Sequence, residues 1–329
     1  MSESFRALVI DDQEGKQKAS FKTLTVADLP DEDVLVDVSY STLNYKDGLA
    51  VLGKKIARRV PMVGGIDLAG TVVESKSADF KPGDKVIVNG YGLSELYWGG
   101  YSQKQKLKPE WLIKLPDAFT LQEAMAIGTA GYTSMLCVLA LEKAGVTPDQ
   151  GEVLVTGAAG GVGSVATALL AKLGYRVIAS SGRAETAPYL EKLGAASVIS
   201  REDTMGAGRP LDKERWAAAV DCVGSKTLAA VLAQIKYGGS VAACGLAGGN
   251  DLPATVLPFI LRNVSLLGVD SVMAPREKRI EAWGRLATDL DKSLFADMTR
   301  VEPMSNLPAL AADILNGKIK GRVVIDVNA

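Results

Sequence analysis

Residues 153–164, VLVTGAAGGVGS, constrain the fold more than any other stretch of the chain. Three apolar residues run into a glycine-dense turn, and an apolar helical run, VATALLAKLG, follows at once. This is strand, tight turn and helix, the opening of a parallel α/β unit. Gly157, Gly160, Gly161 and Gly163 let the backbone bend where side chains would obstruct it. Such a turn offers a pyrophosphate backbone N–H groups and the positive end of a helix. The spacing departs from strict G-x-G-x-x-G, because Ala159 holds the middle glycine's place. Ala159, Gly160, Gly161, Val162 and Gly163 are the expected phosphate contacts.

What lies about 20 residues on identifies the ligand. In dinucleotide-binding units an Asp or Glu at the end of the second strand takes the adenosine ribose hydroxyls. Here that strand ends VIASSGRAE. A carboxylate there would repel a 2′-phosphate, whereas small hydroxyls and a guanidinium bind one. The expected cofactor is therefore NADPH, with Ser181, Gly182 and Arg183 at its 2′-phosphate. The competing reading of Arg183 is a solvated residue near a helix start.

Residues 1 to about 120 carry many short strands with frequent Gly and Pro, as at 5–10, 34–39 and 85–88. This pattern predicts a mostly-β, barrel-like domain, with one short helix over 44–52. The character changes at Thr120, an expected N-cap with Glu123 at capping-box spacing. Strands and helices then alternate. Helices are expected at 162–174, 185–194, 213–218 and 225–235, and a late strand at 263–269. The fold class is α/β, with a doubly wound parallel sheet. A helix at 307–316 and a strand, RVVIDV, close the chain.

The 329 residues suffice for two domains. A net charge near −1 gives no reason to expect a nucleic-acid partner. No basic region leads into a long apolar run at the N-terminus, and no 18 consecutive residues are apolar, so neither signal peptide nor membrane span is expected. Three widely spaced cysteines argue against a disulfide framework and fit a reducing cytoplasm. The chain has no histidine. That removes the commonest general acid/base and the commonest metal ligand together, and with them any Ser-His-Asp or Cys-His mechanism.

The motifs LNYKDGL (43–49), GIDLAGTV (65–72), GDKVIVNGYG (83–92), WGGYS (98–102), GTAGYTSMLC (128–137), TGAAGGVGS (156–164) and GRVVIDV (321–327) resemble the medium-chain dehydrogenase/reductase superfamily, in its zinc-free, quinone-oxidoreductase-like branch. VAACGLAGG (241–249) and PFILRNVSLLGVDSV (258–272) resemble the bacterial acryloyl-CoA reductase (NADPH) family in detail. The resemblance spans essentially the whole chain. It implies a GroES-like catalytic domain over 1–124, completed by 300–329, and a Rossmann NADPH-binding domain over 125–299, with the active site in the cleft. It also implies a homodimer that pairs the late strand with its symmetry mate, which the apolar VSLLGV allows. Zinc-dependent relatives place Cys where this chain has Asn44, Tyr45 and Lys46, and His where it has Gly64 and Gly65, so no metal is expected. Family members carry His before the WGG tripeptide, where this chain has Tyr97.

The implied activity is NADPH-dependent reduction of the activated C=C of acryloyl-CoA. Quinone or enone reduction is the runner-up, and a non-catalytic NADPH-binding protein the reading from another class. Without metal, charge arising on the thioester oxygen must meet hydrogen-bond donors. Tyr45, which the superfamily places beside the nicotinamide, is the first catalytic candidate, with positioning preferred to proton donation. Asn44 and Asp67 complete the candidate set, and Asp47 with Asn44 is expected to fix the turn. The resemblance carries cofactor contacts onto Arg201, Leu246, Ile260, Ser271 and Asn316. Leu246 and Ile260 read equally as core, Ser271 as a turn and Asn316 as a helix C-cap. Trp98, Gly99, Gly100 and Tyr101 read as a turn lining the cleft. Cys244 reads as a small buried apolar residue. Lys54, Lys55, Arg58 and Arg59 form a basic run suited to coenzyme A phosphates or simply to solvent.

Overall fold

The computed structural model describes residues 4–329. The chain divides into two compact units, one holding the described part of Met1–Thr129 with Ser271–Trp283 and Met298–Ala329, the other holding Ala130–Asp270 and Gly284–Asp297.

The first unit is a β-rich body. A seven-stranded sheet runs Thr299–Pro303, Arg322–Asp326, Val34–Thr42, Asp67–Ser75, Lys85–Asn89, Ile113–Lys114, and Lys104–Leu107 also pairs with Val34–Thr42. The apolar alternation in Val34–Thr42 sends Val34, Val36 and Val38 into one core with Leu68, Val86 and Val88. The C-terminal strand Arg322–Asp326 pairs antiparallel with Val34–Thr42 and is buried from Arg322 to Ile325. A three-stranded sheet adds the hairpin Ser4–Gln13/Lys16–Thr25. Its second strand, KQKASFKTLT, is too polar to show in the sequence. The turn holds Glu14 at φ 55° and Gly15 at φ 78°, the two left-handed residues a tight hairpin requires.

The second unit is a six-stranded, all-parallel sheet in the order Ser197–Ser200, Arg176–Ser181, Glu152–Val155, Trp216–Asp221, Ile235–Ala243, Ser265–Gly268. In sequence terms this is 3-2-1-4-5-6, the doubly wound Rossmann order. Its central strands are buried on both faces and read as continuous apolar runs.

The helix expected over 213–218 is instead the start of strand Trp216–Asp221, and the crossover before it keeps only the helical turn Arg201–Thr204. Alanine favours helices, yet all six residues of WAAAVD are buried, and tertiary burial outweighs that weak preference. The capping box is as expected: Thr120 N donates to Glu123 Oε2 at 2.7 Å, and Glu123 N to Thr120 Oγ1 at 3.2 Å. The helix it opens, Leu121–Lys143, breaks at Gly128, whose φ of 51° and ψ of −162° are not helical. This is the one helix among the described residues long and apolar enough to cross a membrane, but 83% of its most apolar window is buried in the protein. Ser271–Trp283, expected with the dinucleotide-binding domain, belongs to the first unit. There Arg279 donates to Asn89 O and Trp283 Nε1 to Asn89 Oδ1.

Candidate active site

In the second unit, strand Glu152–Val155 runs into the glycine turn and helix Gly161–Lys172, with Gly160 as N-cap. Gly157 has φ 60°. A β-carbon on Gly163 would collide with the Gly157 carbonyl oxygen and would stand 2.5 Å from Ala158 Cα. Only glycine allows this approach, which brings the turn back over the helix start. Thr156 Oγ1 donates to Asp221 Oδ1 at 2.7 Å, and Gly224 N donates to Asp221 Oδ2 at 2.7 Å. Asp221 thus ties the glycine turn to the loop after the neighbouring strand. Burial pushes its carboxyl up, against those donors. Sequence reasoning missed Asp221. Its signal is a lone acid ending a buried strand three residues before a glycine.

The end of the second strand is held by local hydrogen bonds. Arg183 N donates to Ser181 Oγ at 3.1 Å, and Ser181 Oγ lies 2.9 Å from Thr186 Oγ1. The Arg201 guanidinium lies over Gly182, its Nε 3.0 Å from where a β-carbon would stand. Ser181, Gly182, Arg183 and Arg201 are therefore brought together, two of them guanidinium-bearing. Leu246 and Ile260 are 61% and 68% exposed, which removes the reading of either as core. Cys244 and Cys222 are half-buried, with their sulfurs 4.0 Å apart. Ser271 and Asn316 lie in the first unit. There Ser271 O accepts from Arg279, and Asn316 caps helix Leu307–Leu315.

The first unit holds a buried polar lattice around helix Tyr45–Val51. Asp47, fully buried, accepts from Asn44 N at 2.9 Å, Asn44 Nδ2 at 3.1 Å and Ile66 N at 2.9 Å. Asp67, also fully buried, accepts from Asn44 Nδ2 at 2.8 Å, Asn89 Nδ2 at 2.7 Å, Thr129 N at 3.0 Å and the Thr129 hydroxyl. Arg322 reaches Thr42 Oγ1 at 2.8 Å and Asn44 Oδ1 at 3.3 Å. Asn44 is thus held on both ends of its amide. Next to it Tyr45 is 42% exposed, the only member of the Asn44, Tyr45, Asp67 set open to solvent. Sequence reasoning missed Asn89, Thr129 and Arg322.

Burial, then the nearby Asp67 charge, pushes the Asp47 carboxyl up to about 7, although three N–H donors favour its ionised form. The folded chain then holds a proton that the unfolded chain has released, between about pH 4 and about pH 7. Stability attributable to this group falls as pH rises through that window, by about 4 kcal/mol in all at 1.36 kcal/mol per unit. Denaturant unfolding compared at about pH 5 and about pH 8 checks this; equal midpoints would contradict it.

The WGG segment bends at Gly100 and Tyr101 and is tied to residues 63–65 by its backbone. Gly99 N donates to Val63 O at 2.8 Å and Gly100 N to Gly65 O at 2.9 Å. Tyr101 is fully buried, its hydroxyl donating to Thr42 O at 3.1 Å, so it lines no opening. β-carbons on Gly64 and Gly65 would stand 3.1 Å and 2.9 Å from the Tyr101 ring. Of the basic run, Arg58 pairs with Glu95 at 2.9 Å, and Lys54, Lys55 and Arg59 are exposed.

Two domain families match the chain: "Alcohol dehydrogenase GroES-like domain" over residues 30–117 and "Zinc-binding dehydrogenase" over 161–288. The residues do not fit the zinc of that second description. The chain has no histidine, Gly64 and Gly65 are packed on Tyr101, and among the described residues no three His, Cys, Asp or Glu side chains gather as a metal site. Along its length the chain is 55% identical to acrylyl-CoA reductase AcuI of Ruegeria pomeroyi, covering 99% of this chain and 100% of that one. It is 47% identical to putative quinone oxidoreductase YhfP of Bacillus subtilis, covering 99% of each, whose structure with NAD bound matches with a TM-score of 0.95. The yhdH oxidoreductase of Salmonella enterica, solved in complex with NADP, matches with a TM-score of 0.95 at 52% identity, covering 98% of this chain and 99% of that one. The chain belongs to the medium-chain dehydrogenase/reductase superfamily, in the family that includes acrylyl-CoA reductase AcuI.

Proposed function

We propose that this protein reduces the activated C=C of acryloyl-CoA to propionyl-CoA with NADPH, consuming one proton and releasing NADP. The observation that carries the reading is the 55% identity to acrylyl-CoA reductase AcuI over the full length of both chains. Bound NADPH supplies a hydride to the β-carbon of the thioester. The chain's own residues do the rest. Backbone N–H groups of Gly160, Gly161, Val162 and Gly163, beside Ala159, hold the pyrophosphate at the helix start. Ser181, Gly182, Arg183 and Arg201 take the 2′-phosphate, while Leu246, Ile260, Ser271 and Asn316 complete the cofactor contacts. Asp67 and Asp47 are positioning residues that fix the Asn44 amide. The exposed Tyr45 phenol orients the substrate by hydrogen bonding. The domain reading follows: a catalytic domain over 1–124 with 300–329, joined by Ser271–Trp283, and an NADPH-binding domain over the rest of 125–299.

NADPH oxidation monitored with acryloyl-CoA, crotonyl-CoA and a benzoquinone tests the activity. Turnover of the quinone alone would replace this reading with quinone reduction, which the likeness to YhfP favours. For the cofactor, Arg183→Ala is expected to weaken NADPH by about 1.5–3 kcal/mol, the range for a charge-assisted contact, and to leave NADH nearly unchanged. An equal loss for both would refute the 2′-phosphate assignment.

The protein acts as a homodimer in the cytoplasm in this reading. Three free thiols support a reducing compartment, which cell fractionation checks. Strand Ser265–Gly268 ends its sheet, with Val256, Ile260 and Leu261 exposed nearby in the chain, which suits pairing with a second copy. Light scattering is expected to give the mass of two chains, and a one-chain mass at micromolar concentration would overturn the dimer.

A further inference from the structure

We propose that a groove in the first unit, bounded by Tyr97, Trp98, Trp111, Arg59, Lys106 and Glu32, binds the adenosine 3′-phosphate end of the coenzyme A thioester. The proposal rests on the acyl-CoA reading above and gives it a subsite. The groove has a volume of about 310 Å³, at the small end of ligand-sized cavities. Three aromatic side chains line it beside Pro30, Pro61, Met62 and Leu96. Tyr97 and Trp111 lie with ring centroids 4.7 Å apart at 55°. Trp98 Nε1 donates to Pro61 O at 3.1 Å, which fixes the plane of its ring. Fixed aromatic faces suit a purine, which stacks with little loss of side-chain freedom.

The polar groups complement the rest of an adenosine phosphate. Arg59 and Lys106 line the groove, and neither is in an ion pair among the described residues. The Lys108 ammonium stands 5.3 Å from both the Tyr97 and Trp111 rings and adds a third positive charge. A phosphate ester carries close to two negative charges, which such cations neutralise. Glu32 supplies an acceptor for an exocyclic amine.

The groove is also linked to the candidate site. Lys46, next to Tyr45, pairs with Glu95 at 2.8 Å, and Glu95 pairs with Arg58 at 2.9 Å and accepts its backbone N–H at 2.8 Å. Arg59 follows directly. Lys46, Glu95 and Arg58 thus connect helix Tyr45–Val51 to the residue before Arg59. The structure thereby separates the basic run by role: Arg58 is held by Glu95, and Arg59 faces the groove.

The test compares two substrates with the same reacting group, acryloyl-CoA and acryloyl-pantetheine, which lacks the nucleotide. In Arg59→Ala/Lys106→Ala, KM for acryloyl-CoA is expected to rise about tenfold at unchanged kcat, with acryloyl-pantetheine unaffected. An equal rise for both substrates, or no rise for acryloyl-CoA, overturns the subsite. A second arm needs no turnover. Adenosine 3′,5′-bisphosphate is titrated against tryptophan fluorescence in wild type, in Trp98→Ala and in the double variant. Binding that weakens at least about fivefold in both variants supports the groove. Binding unchanged in them, absent from wild type, or displaced by adenosine 2′,5′-bisphosphate overturns it. Should wild type reduce no thioester, the activity reading falls and this second arm still decides the subsite.

Discussion

Asp67→Ala is expected to destabilise the first unit by about 3–5 kcal/mol, which lowers its melting temperature by roughly 10 °C. Asp67 is fully buried and accepts from four donors on three segments: the Asn44 amide, the Asn89 amide, and the backbone and hydroxyl of Thr129. Alanine leaves every one of those donors without this acceptor, and the Asn44 and Asn89 amides are buried away from water. Unmade bonds to buried donors cost far more than the modest net gain of making them. The loss extends to the candidate site, because the Asn44 side chain is stretched between Asp67 and Arg322 beside Tyr45. Turnover is therefore expected to fall even at temperatures where the variant stays folded. A thermal scan and a rate measured well below the transition check the two effects. A melting shift within about 2 °C would mean that the lattice does not stabilise the fold as described.

Gly163→Val is expected to raise the Kd for NADPH at least tenfold, up to about a hundredfold. The atoms an added side chain meets are backbone, the Gly157 carbonyl oxygen and Ala158 Cα, so no rotamer change relieves the clash. The helix start must move away from the turn, and its N–H groups leave the positions that a pyrophosphate occupies. Overpacking of this kind costs about 1–3 kcal/mol or more. Gly284→Ala is the matched control. It lies in helix Arg276–Asp289, and nothing within 4 Å meets the added carbon. It is expected to leave cofactor binding unchanged and to stabilise its helix by up to about 1 kcal/mol. Fluorescence titration of NADPH measures both, and equal Kd values for the two variants would refute the close-approach argument.

Local features were legible in the sequence where a short stretch carries its own cause. The glycine turn, the Ser181–Arg183 strand end and the Thr120/Glu123 box all depend on residues within a few positions of one another. The strand alternation around Val34 and the strand–helix rhythm after Thr120 encoded the two kinds of unit in the same way. Where local preference and burial disagreed, the sequence misled. Residues 213–218 read as helix, and the polar strand Lys16–Thr25 read as nothing. In the first the deciding partner is strand Glu152–Val155, far back in the chain, and in the second it is the other arm of the same hairpin.

The candidate site divides along the same line. By itself the sequence determined the glycine turn between strand and helix, a basic residue just past the end of the next strand, and a chain without histidine. Those follow from residue type and near spacing. Only the tertiary structure decided that Asp67 gathers Asn44, Asn89 and Thr129, that Arg322 returns from the C-terminus to hold Asn44, and that Tyr45 is left exposed beside them. Polar residues scattered over nearly 280 positions look like surface when read in order. They become a site because a buried carboxylate must collect its donors from whatever strands the sheet brings alongside it.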